Sequence, residues 1–69
     1  MITINNKKTT SYDYDDLKEK VNVELRGLST DEKPIKIGEQ IIENGSTFIE
    51  IDTGKIYLYD LENEEWKEI

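Results

Sequence analysis

The chain has no cysteine and no histidine, and only one proline and one methionine, in 69 residues. Without cysteine there is no disulfide, and without cysteine or histidine the usual zinc ligands are missing, so the two common staples of small domains are excluded. The same absences remove the commonest general base and the thiol nucleophile. Serine and lysine are present, but no Gly-x-Ser-x-Gly elbow or phosphate-binding loop accompanies them. No apolar run reaches the length of a signal-peptide core or a membrane span, which predicts neither and places the protein in a cytoplasm at first. Basic residues are scarce as well: 9 Lys and Arg stand against 16 Asp and Glu, for a net charge of −7.

The acids are unevenly placed. Residues 43–69 carry Glu43, Glu50, Asp52, Asp60, Glu62, Glu64, Glu65 and Glu68 against only Lys55 and Lys67. Such a surface repels phosphate backbones, so direct nucleic-acid binding is not expected. An acidic face around Glu62, Glu64 and Glu65 reads most simply as a solvated surface that keeps an edge-rich β domain soluble. Its functional reading is docking to a basic partner or mimicry of DNA.

What is present is β patterning. Residues 44–69 alternate in the manner of a small antiparallel β-meander: runs at 47–51 and 56–59 flank Asp52-Thr53-Gly54, and an acidic turn at 61–65 leads to a last strand opening on Trp66. Asp52-Thr53-Gly54 suits a type I turn followed by a glycine in the left-handed region. Thr47, Ile49 and Ile51, with Ile56 and Leu58, are read as the core side. Phe48, Tyr57 and Tyr59 then fall on the opposite face, available to a partner, and Trp66 packs across the sheet with its indole N–H on a polar rim.

Earlier in the chain, 1–5 alternates as a short strand, and 6–11 reads as a turn or a loose arm. Asp13 and Asp16 are candidate helix caps, so a short helical or irregular segment is expected at 13–19 and a strand at 20–26. Residues 26–34 form a loop, 35–38 a brief extended stretch, and 39–43 are ambiguous. The whole chain, 1–69, makes one small mainly β domain, with 1–19 a candidate for a loosely packed arm. A domain of this size buries only about 60% of its surface. Association, with a partner or as a homo-oligomer, is therefore expected.

Three constellations invite chemistry, and each has a plainer reading. Asp52-Thr53-Gly54 matches the aspartic-protease triplet, but Lys55 follows at once and the flanks make a tight hairpin. Asp13, Asp15 and Asp16 lack the glycine and distal glutamate of a calcium loop. The aromatics, Tyr12, Tyr14, Phe48, Tyr57, Tyr59 and Trp66, lack the basic groove of a base-stacking platform. The expectation is a protein with no enzymatic activity, cofactor or metal, whose interaction residues are Phe48, Tyr57, Tyr59 and Trp66.

The segments Gly27-Leu28-Ser29-Thr30-Asp31-Glu32-Lys33-Pro34, then Asn44-Gly45-Ser46-Thr47-Phe48-Ile49-Glu50-Ile51-Asp52-Thr53-Gly54-Lys55-Ile56-Tyr57-Leu58-Tyr59-Asp60, then Glu65-Trp66, resemble small phage and prophage proteins of Gram-positive bacteria. Related hairpins occur as β units of phage head fibres, tail fibres and appendages. The resemblance covers about two-thirds of the chain and departs from the pattern between Pro34 and Asn44, where this chain is longer and more apolar. It implies a structural or accessory protein working through protein–protein contacts, present in the host bacterial cytoplasm and then in the virion. The alternative it leaves open is an acidic phage inhibitor of a host nucleic-acid-binding or defence protein. It implies no catalytic residues.

Overall fold

The computed structural model describes every residue except Asp16. Seven strands form one mixed sheet curled into a half-barrel: β1 (Thr3–Asp13), β2 (Lys18–Gly27), β3 (Lys36–Ile37), β4 (Gln40–Ile42), β5 (Thr47–Glu50), β6 (Ile56–Asp60) and β7 (Glu65–Glu68). The mainly β expectation holds, and no described residue is helical. The sheet as a whole is mixed rather than wholly antiparallel. β2 is its central strand: β1 pairs with it antiparallel along its whole length, while β4 and β5 both pair with it in parallel, at Lys20–Val21 and Glu24–Gly27 in turn. β3 borders β4, and β5, β6 and β7 pair antiparallel in succession.

One hydroxyl makes this arrangement continuous. Between β4 and β5 the ladder along β2 is interrupted, and the Val23 N–H donates there to Ser46 Oγ at 3.1 Å. Ser46 in turn donates to the Glu43 carbonyl at 2.8 Å and is fully buried. A buried N–H with no partner is costly, so Ser46 repairs the gap with its side chain.

Residues 6–11 are neither turn nor free arm but the middle of β1, an eleven-residue edge strand. Its side chains are almost all exposed, so the pairing is by backbone and leaves no apolar alternation for sequence to show. Register shifts at Asn5 and Thr10, together with Lys7 and Lys8, suit an outer edge that must not recruit another strand. Of the helical or irregular segment expected at 13–19, no described residue is helical, and the irregular part is a turn between β1 and β2. Asp13 caps a turn instead, accepting from the Asp15 N–H at 3.0 Å, and Leu17 takes a left-handed φ of 55° as β2 begins. Asp16, the other expected cap, lies outside the described residues.

The hairpin between β5 and β6 closes as its residues demand. Gly54 sits at φ 74°, its N–H donating to the Glu50 carbonyl, and the Glu50 N–H donates to the Lys55 carbonyl. Gly54→Val forces a β-branched residue into the left-handed region and should cost about 1–2 kcal/mol. A thermal melt indistinguishable from wild type would contradict the turn. Asp52, by contrast, is not the silent position its place in a turn suggests. It accepts from the Ser29 N–H at 2.9 Å and the Ser29 hydroxyl at 2.6 Å, tying this turn to the 28–31 loop.

Candidate docking surface

The face of the sheet that forms the core is the opposite of the one expected. Val21, Val23 and Leu25 of β2, with Ile42, Phe48 and Tyr59, make the buried cluster, and Tyr57 and Trp66 pack against it. Phe48 is 0% and Tyr59 3% exposed, so the aromatics expected to meet a partner are interior groups. The Trp66 ring lies 5.9 Å from Phe48 and 4.9 Å from Tyr59, centroid to centroid. Burial raises the Tyr59 phenol above its ordinary range, with Glu64 and Asp60 adding to the effect.

The loop before β3 crosses this face and decides which side is inside. Trp66 Nε1 donates to the Pro34 carbonyl at 2.8 Å, as a buried indole should, and the Tyr59 hydroxyl donates to the Ile35 carbonyl at 3.4 Å. Lys33 reaches over the rings of Phe48 and Tyr57, 4.9 and 4.3 Å from their centroids, and pairs with Glu50 at 2.7 Å. Glu50 also accepts from the Thr53 hydroxyl at 2.7 Å. These contacts, the Lys33 hydrogen bond foremost, hold the Glu50 carboxyl below its ordinary range despite its burial. Gly27 ends β2 beneath the loop because a Cβ there would meet Phe48 Cζ at 2.9 Å.

The outer face is therefore the aliphatic one. Strand register places Thr47 beside Leu58, Ile49 beside Ile56, and Leu58 beside Lys67. Ile56 is 42% and Leu58 41% exposed, flanked by Ile51 and Ile69 at 64% and 76%. No described element covers this stripe. Its rim is ionic: Lys67 bridges Asp60 at 3.2 Å and Glu65 at 3.7 Å, and Lys55 meets Glu68 at 3.6 Å. The pairing with Asp60 also raises the Lys67 ammonium above its ordinary range.

Known protein families, curated proteins and solved structures contain no match to this chain. Geometry therefore carries the functional argument. An exposed row of aliphatic side chains on a sheet face can bury area against a complementary surface, and the flanking ion pairs can set orientation. Of the acids expected to form a face, Glu62, Glu64 and Glu65 are all exposed at the turn between β6 and β7, where Glu64 adopts a φ of 50°. Among the described residues no group of three or more carboxylates is placed to hold a metal ion, and no helix is long and apolar enough to cross a membrane. Sequence reasoning missed Ile51, Ile56, Leu58 and Ile69 as surface groups and gave Lys33 no role. The available signal was Glu50, whose alternation with Phe48 makes sense on an inner face only once a cation is found for it.

Proposed function

We propose that this chain is a phage-derived structural or accessory module that attaches to a virion protein through the aliphatic outer face of β5 and β6. The observation that carries the reading is the uncovered stripe Ile49, Ile51, Ile56 and Leu58 on a protein that is otherwise 36% charged. The resemblance of residues 26–69 to the β units of head and tail fibres supplies the class of partner. The second reading, an acidic inhibitor of a host nucleic-acid-binding protein, draws on the exposed Glu62, Glu64 and Glu65 and on the excess of acids over cations in residues 43–69. The two readings place the binding energy on different residues.

Capture from an infected lysate at low and high salt separates them. Ile56→Ser with Leu58→Ser should abolish recovery of capsid or tail proteins, whereas Glu62→Lys, Glu64→Lys and Glu65→Lys together should leave it intact at both salts. A mimic behaves in reverse: the triple reversal and high salt each release its partner, because attraction to a basic groove is screened. Recovery of a host nucleic-acid enzyme with that salt sensitivity would overturn the virion reading.

A further inference from the structure

The end of the sheet where β2 begins, beside β3 and β4, has a different character. Lys20 on β2 and Lys36 on β3 both neighbour Ile41 of β4 in register, and Lys18 lies two residues along β2, so the three lysines surround one isoleucine on one face. Among the described residues none of the three makes an ion pair, in a chain with 16 acids. They border a hollow of about 370 Å³ whose remaining wall includes Ile35 and Leu61. Asp13 and Glu64 also border it and offset the three cations only in part.

The acidic turn between β6 and β7 stands beside this hollow, since Leu61 and Glu64 belong to both. A block of lysines thus adjoins a block of exposed carboxylates, with apolar groups between them. A patch built of adjacent positive and negative halves is complementary to itself about a two-fold axis, the geometry of an isologous dimer. We propose that this patch is a homodimer interface in which the Asp60–Glu65 turn of each copy lies over Lys18, Lys20 and Lys36 of the other. Charge complementarity selects the second copy as occupant: the acids needed to meet the lysines already stand beside them on the same surface. Ile35, Ile41 and Leu61 fill the middle, where water is excluded and the ion pairs strengthen. The interface goes beyond the docking reading, because it leaves Ile56 and Leu58 free for another protein.

Sedimentation velocity from micromolar to millimolar concentration, at low and high salt, tests it. The wild type should dimerise, and its dissociation constant should rise about tenfold or more with added salt. Lys20→Glu with Lys36→Glu should be a monomer, because only Lys18 remains of the basic half and two new acids repel the partner's turn. Glu62→Lys with Glu64→Lys should be a monomer for the converse reason. Mixed in equal amounts, the two double variants should form a 1:1 dimer, a rescue that misfolding of either could not produce. Ile56→Ser with Leu58→Ser should dimerise as the wild type does. A wild type that stays monomeric at millimolar concentration and low salt, a mixture that stays monomeric, or a dimer lost in the Ile56 and Leu58 variant would each overturn the proposal.

Discussion

Phe48→Ala should leave the chain unfolded at 25 °C. The ring is completely buried, touches Trp66 edge-on, and fills the space that Gly27 leaves open beneath the crossing loop. Truncating a buried phenylalanine typically costs about 3–5 kcal/mol. A core in a domain this small supplies roughly 3–5 kcal/mol net, and no disulfide or zinc site adds to it here. The substitution therefore consumes most or all of the available stability. Phe48→Leu keeps most of the volume, lies farther from the Gly27 Cα, and should fold with a lowered Tm. Trp66 fluorescence reports both outcomes, since Trp66 is packed on Phe48 and Tyr59. A Phe48→Ala variant that melts cooperatively within a few degrees of wild type would show that the ring is not in the core.

The second large effect is expected at Lys33. Lys33→Met removes the cation that faces the buried Glu50 carboxylate and leaves it the Thr53 hydroxyl and Tyr57, and removal of one partner from a buried pair is far more damaging than removal of both. A fall in Tm of about 10 °C or more is expected at pH 7. Lys33→Met combined with Glu50→Leu should recover much of that loss, because no uncompensated charge remains. The pH dependence should also become shallower. In the wild type the Glu50, Asp31, Asp52 and Asp60 carboxyls are all held below their ordinary values. The principal causes are the Lys33 hydrogen bond at Glu50, the Leu28 N–H at Asp31, Ser29 at Asp52 and Asn63 at Asp60. Groups with depressed folded-state values contribute fully above the ordinary values of 3.8 for Asp and 4.5 for Glu. That contribution is lost as pH falls through the lower folded-state values, so acid destabilises the wild type. In Lys33→Met the largest lowering influence on Glu50 is gone while the Thr53 hydroxyl still lowers its value, so this variant should lose less stability than the wild type as pH falls below 4.5. Urea titrations at several pH values decide it, and a Lys33→Met variant whose acid dependence matches that of the wild type would show that the Lys33–Glu50 pair does not contribute.

The C-terminal half of the fold was legible in the sequence, while its orientation was not. Asp52-Thr53-Gly54 announces its turn by local chemistry, because only glycine takes the left-handed position cheaply. The strands at 47–50 and 56–60 follow from alternation that any half-buried sheet must show. Alternation alone, however, cannot say which face is inside when both faces carry large apolar residues. Phe48, Tyr57 and Tyr59 compete there with Ile49, Ile56 and Leu58. The outcome is set by the loop that carries Lys33 and Pro34 across the aromatic face, a contact between segments that sequence spacing does not encode. Most of β1, beyond the short strand expected at 1–5, was illegible for a different reason: Thr, Asn, Lys and Ser on an edge strand bury nothing, and its pairing with β2 rests on backbone hydrogen bonds. Ser46 is similar, since a buried hydroxyl that mends a break between two parallel partners looks like an ordinary turn residue after Asn44-Gly45. The docking stripe inherits the inversion of the faces. It was visible as a pattern but assigned to the core.

That inversion is tested most directly by methyl NMR with a soluble paramagnetic gadolinium complex, at protein concentrations low enough to keep the chain monomeric. Ile51, Ile56 and Leu58 methyls should broaden strongly on addition of the complex, while those of Val21, Val23, Leu25 and Ile42 should be unaffected. Sharp Ile56 and Leu58 methyls in the monomer, together with Phe48 and Tyr59 ring signals broadened by the gadolinium, would contradict it.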